Sequence, residues 1–133
     1  MSYKGVIIEE SLENPSILKD LKVLETKVEP ITSNHKTPWL QGWTLHAVEI
    51  QEDKAQEIAE KISSSFDRDH PHWYADYKNE KYHFIIYSGK VFKVDLANPA
   101  LYKDAKAYGI SIGIPEYQVD FAPDDSVTFL QND

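Results

Sequence analysis

The residues best suited to chemistry crowd into one stretch, Asp69-His70-Pro71-His72 followed by Trp73-Tyr-Ala-Asp76-Tyr-Lys-Asn-Glu-Lys-Tyr-His83. Asp76 and His83 form the first constellation. A carboxylate accepting from one imidazole nitrogen fixes the ring tautomer and raises the basicity of the other nitrogen, which makes a general base for a hydrolase or lyase. No Gly-x-Ser-x-Gly nucleophile elbow accompanies the pair, and Ser63-Ser64-Ser65 fall at a helix end. The plainer role is a structural hydrogen bond between neighbouring strands.

His70 and His72 form the second constellation. Residues two apart in extended chain face the same way, so both imidazoles could share zinc, nickel or iron with Asp69, and with His35, His46 or His83 as a remote third ligand. No His-Glu-x-x-His is present, and His-x-His alone is common in loops. Arg68, the only arginine, could hold a carboxylate or phosphate, although Asp67 and Asp69 beside it favour a solvated ion pair. The third set is aromatic: Trp73, Tyr77, Tyr82 and Phe84, with Trp39 and Trp43 nearby. Such rings stack on planar ligands when exposed and fill a core when buried. No Gly-rich phosphate loop occurs, and no cofactor is strongly implied.

Turn chemistry places these residues on a three-strand meander running from His72 to Leu96. A two-residue turn at Ser88-Gly89 sets Tyr87 opposite Lys90 and His83 opposite Val94. A like turn at Asn79-Glu80 sets Tyr77 opposite Tyr82 and Asp76 opposite His83. The pleat then puts Tyr74, Asp76, His83, Ile85, Tyr87, Phe92 and Val94 on one face. Trp73, Ala75, Tyr77, Tyr82, Phe84, Ile86, Val91 and Lys93 share the other. Both faces are apolar. If two helices cover one of them, the face carrying Trp73, Tyr77, Tyr82 and Phe84 is left as a binding or dimer surface.

The flanking sequence supplies the rest of the sheet and its helices. Strands are expected over Tyr3 to Glu10, Leu21 to Ile31 and Trp43 to Gln51, with a helical turn from Pro15 to Asp20 capped by Asn14. Ala55, Ile58, Ala59, Ile62 and Phe66 form a helical stripe within Glu52 to Phe66, with Asp53 and Gln56 as a capping box. A second helix is expected from Pro99 to Tyr108, with Asn98 as cap and Gly109 as stop. After it, the alternations Ile110, Ile112, Ile114 and Tyr117, Val119, Phe121 predict an edge strand or wrapping segment.

The 133 residues predict one domain, 1–133, with 122–133 as a loose acidic tail. A net charge of −8 argues against a nucleic-acid binder and leaves an acidic nucleic-acid mimic as a minor option. The absence of cysteine excludes disulfides and thiolate metal sites. With no signal-peptide pattern and no long apolar run, a cytoplasmic protein without membrane contact is expected.

The run His35-Lys-Thr-Pro-Trp-Leu-Gln-Gly-Trp-Thr-Leu-His-Ala-Val-Glu-Ile50, with Trp73 to Tyr87, resembles a small prokaryotic protein family of about this length that has no assigned activity. The resemblance implies an intracellular protein and carries no catalytic residue over. The expected fold is α+β, a mainly antiparallel sheet of five or six strands packed by two helices, loosely similar to a ferredoxin-like sandwich. The expected function is a non-catalytic domain using its aromatic sheet face for a small molecule, a protein partner or a second copy. A hydrolase or lyase built on His83 and Asp76, with a metal at His70 and His72, is the alternative.

Overall fold

Among the described residues the chain forms six strands: β1 (Tyr3–Ile8), β2 (Lys22–Pro30), β3 (Gly42–Ile50), β4 (Tyr74–Lys78), β5 (Tyr82–Tyr87) and β6 (Lys90–Asp95), with alternate burial clearest in β1 and β4. Helix α1 (Ala55–Ser63) connects β3 to β4, and α2 (Leu101–Ser111) follows β6. The computed structural model describes residues 2–30, 42–67, 69, 72–114 and 116–119. The strands join in one sheet in the order β2-β3-β1-β4-β5-β6, every neighbouring pair antiparallel. This is the α+β, mainly antiparallel architecture that the sequence predicts. No helix among the described residues is long and apolar enough to cross a membrane.

The β5–β6 hairpin has the register set by Ser88-Gly89, from Tyr87 opposite Lys90 to Tyr82 opposite Asp95, and Gly89 takes the positive φ of 75° that this turn requires. The β4–β5 register differs from the expected one. Tyr77 faces Phe84, and Asp76 faces Ile85 rather than His83. The cause is Asn79, whose Oδ1 accepts from the Lys81 and Tyr82 amides at 2.8 and 2.9 Å while its own amide donates to the Tyr82 carbonyl. That local hydrogen bonding moves the turn centre to Glu80-Lys81. The slip is two residues, so every side chain keeps its predicted face.

The helices lie on opposite faces of the sheet, which corrects the expectation that both cover one. Ile58, Ala59 and Ile62 of α1 pack on Tyr3, Ile7, Val48, Ile50, Ala75, Tyr77, Phe84 and Ile86. Tyr102 and Ala105 of α2 pack on Ile85, Tyr87, Phe92 and Val94 of the other face. Each apolar face of the meander thereby takes its own helix, as burial of apolar area demands.

Helix boundaries also differ in detail. A 3-10 turn over Glu52–Lys54 precedes α1, and Lys54 at the cap position makes no side-chain cap, so the Asp53–Gln56 capping box does not start the helix. Helix α2 starts at Leu101 without a side-chain cap, because Asn98 instead bridges back to Asp95. It runs through Gly109 to Ser111, so Gly109 is no stop and Ile110 belongs to helix rather than strand. Gly109 is there for space: a Cβ would sit 2.8 Å from both Tyr87 Oη and Val119 Cγ1. The turn after the helix falls at Gly113, with φ of 96°. Glu116–Gln118 form a 3-10 turn in place of the expected extended segment, while Phe121 and the predicted tail lie outside the described residues.

Candidate functional site

His83 sits on β5, between β4 and the edge strand β6, on the α2 face and fully buried. Asp76 on β4 is its diagonal neighbour across the strand pair, a position within reach of a short carboxylate. Asp76 Oδ2 lies 2.6 Å from His83 Nε2, and the Tyr102 hydroxyl, brought down from α2, lies 2.7 Å from His83 Nδ1. An ionised carboxylate only accepts, so Nε2 carries a ring proton; in the neutral imidazole Nδ1 then accepts from the Tyr102 hydroxyl. The Tyr102 ring also meets the imidazole edge-on at 5.6 Å. Asp76 remains about one-third exposed and is the wet end of this chain of groups.

The predicted Asp76–His83 pair is thus brought together, by the diagonal rather than the facing position. Tyr102 was missed, because only the packing of α2 against β5 and β6 puts its hydroxyl over the ring. Both ring nitrogens are engaged within the protein, so the imidazole offers no lone pair to a substrate without giving up a buried hydrogen bond.

A second chain of the same kind lies near the other end of the sheet. His46 Nε2 lies 2.8 Å from Glu9 Oε1, and its Nδ1 lies 2.9 Å from Thr26 Oγ1. Three elements supply it: the turn after β1, strand β3 and strand β2. Beside it, Glu10 accepts from both the amide and the hydroxyl of Thr44, at 2.6 and 2.7 Å. These contacts fasten the end of β1 and strand β2 to β3. The sequence offers His46 only as a remote metal ligand. The facing register of β2 and β3 is what reveals its partners.

The aromatic set falls in the core rather than on an open face. Trp73, Tyr77 and Phe84 are 5%, 0% and 1% exposed beneath α1, and Tyr82 is half-buried with Lys93 Nζ 4.3 Å from its ring centre. Tyr3, Tyr77 and Phe84 stack mutually at centroid distances of 5.2 to 5.7 Å. The Tyr77 hydroxyl donates to the Ala55 carbonyl, and burial pushes its pKa well above the ordinary tyrosine value. Tyr87 on the opposite face donates to the Ala105 carbonyl at 2.7 Å and is raised likewise, first by burial and then by the charge of Asp76. Trp73 packs against Trp43 at 5.4 Å, and its buried Nε1 has no hydrogen-bond partner among the described residues.

Of the proposed metal ligands, His72 is exposed, with its ring over Gly113, while His70, His35 and Arg68 lie outside the described residues, as does Trp39. Among the described residues no three metal-ligating side chains group together. Comparison of the chain with family models, with curated proteins and with solved structures gave no match.

Proposed function

We propose that this chain is a non-catalytic, cytoplasmic binding domain that takes an extended protein segment along the edge strand β2. The observation that carries the reading is the composition of that strand. Among the described residues β2 ends the sheet, runs for nine residues, and leaves Val23, Leu24 and Val28 exposed at 41%, 39% and 68%. An edge strand presents one side of its ladder as a template for another chain, and exposed apolar side chains beside it add contact area. The engaged state of both His83 nitrogens supports a binding rather than a catalytic role. The net charge of −8 favours a protein partner over nucleic acid. The aromatic residues under α1 then act as the core that holds the edge in place.

Selection of linear peptides from a displayed library against the full chain tests the reading. Selected peptides are expected to shift the backbone amide resonances of residues 22–29 and to lose binding to Val28→Lys. Peptides that shift only other residues, or failure to select any, would overturn it.

A second reading is favoured by the 2.6 Å Asp76–His83 contact: a hydrolase or lyase with His83 as base and Asp76 as its orienter. It requires Tyr102 to move away and expose Nδ1. Fast solvent exchange of Tyr102 hydroxyl and His83 ring protons would support it.

A further inference from the structure

We propose that the segment taken at the β2 edge is β2 of a second copy of this chain, paired antiparallel about Thr26. The inference rests on the edge-strand reading above and names its occupant. The sequence of β2, Lys22-Val-Leu-Glu25-Thr-Lys27-Val-Glu29-Pro30, is self-complementary in charge about Thr26. A two-fold axis normal to the sheet at Thr26 sets Glu25 opposite the partner's Lys27 and Lys27 opposite the partner's Glu25. Opposite charges directly across a ladder are a stabilising combination.

The neighbouring symmetric registers fail on charge. Centring on Glu25 puts that residue against its own copy. Centring on Lys27 does the same to the lysine and adds Glu25 against the partner's Glu29. Within the chain, Glu25 and Lys27 lie opposite Ala47 and Leu45 of β3, so both residues stand on one face and both ion pairs form there. Thr26, at the axis, lies opposite His46 and is held by its Nδ1, which sets the strand centre rigidly before any partner arrives.

Two features bound the contact. The register shift between Val23 and Glu25 interrupts the ladder on one side, and Pro30 has no amide to donate on the other. These same devices protect edge strands from indiscriminate pairing, and here they leave a short stretch centred on Thr26. So short a ladder makes a weak dimer, populated at high concentration.

Analytical ultracentrifugation of the full chain across roughly 10 µM to 1 mM tests the proposal. The wild type is expected to rise from 15.3 kDa toward twice that mass. Glu25→Lys and Lys27→Glu are each expected to weaken dimerisation about tenfold or more, because every pair then opposes like charges. An equimolar mixture of the two variants restores the dimer, since the two lysines that flank Thr26 in one variant then face the two glutamates that flank it in the other. Both substitutions fall on exposed side chains, and unchanged amide spectra outside β2 confirm the fold. A wild type that stays monomeric throughout, or single variants that dimerise like wild type, would overturn the pairing. If the wild type is monomeric and selected peptides still shift residues 22–29, a heterologous strand is the occupant and the edge reading stands. If neither occurs, both fail.

Discussion

Asp76 and His83 meet diagonally across β4 and β5, with Ile85 opposite the aspartate and Lys78 opposite the histidine, and their contact completes a chain that ends on Tyr102 of α2. Removing either end leaves a buried ring nitrogen without its partner. Tyr102→Phe is expected to cost about 1 kcal/mol and Asp76→Ala about 1–3 kcal/mol in urea unfolding. Because both act through one imidazole, the double variant is expected to depart from the sum of the two by more than about 0.5 kcal/mol. Strict additivity would show that the ring does not couple them.

Gly5 in β1 lies against the backbone of β4. A Cβ there would collide with the Asp76 carbonyl oxygen and come within 2.6 Å of Tyr77 Cα. The obstacle is main chain, which cannot rotate away as a side chain can. Gly5→Ala is expected to destabilise by about 3 kcal/mol, at the upper end of overpacking costs, and to displace Asp76 from His83. Thermal unfolding with histidine ring NMR checks both effects.

Alkaline pH acts on the tyrosines. Tyr77 and Tyr87 have folded pKa values raised above the ordinary value near 10 by burial. The unfolded chain releases these protons first, so it binds fewer of them than the folded state. Stability is therefore full below about pH 10 and falls above it, by about 1.4 kcal/mol per pH unit for each such tyrosine. Urea midpoints from pH 9 to 11 measure the slope. Tyr77→Phe is expected to remove one tyrosine's share of the slope while lowering neutral-pH stability by about 1 kcal/mol through the lost bond to Ala55.

Phe84, 1% exposed between Tyr3 and Tyr77, distinguishes core from binding face. Phe84→Ala is expected to cost about 3–5 kcal/mol and to leave peptide or self-association at β2 unchanged wherever the variant is folded. Loss of association at full stability would return the aromatic face to a binding role.

Much of this arrangement is legible in the sequence because its determinants are local. Ser88-Gly89 fixes β5 against β6, the Ile58–Ala59–Ile62 stripe marks α1, and alternation sorts every meander residue onto its observed face. The Asp76–His83 pair survives a two-residue error at Asn79 because facing and diagonal positions share a face. What depends on long-range packing is not legible. Tyr102 reaches His83 only through the docking of α2, and Gly109 reads as a helix stop until Tyr87 is known to lie beneath it. The His46 chain needs the β2–β3 register, which pairs strands distant in sequence.

The position of β1 carries a consequence for how the protein is made. This earliest strand lies inside the sheet, between β3 and β4, and is joined to β4 by only three residue pairs, Lys4–Lys78, Gly5–Tyr77 and Val6–Asp76. During synthesis β1 waits with both hydrogen-bonding sides unsatisfied until β3 emerges, and one side stays open until Asp76–Lys78 have left the ribosome. Until β4 is made, β1 therefore lacks its neighbour on one side, and the sheet cannot close from β3 across to β5.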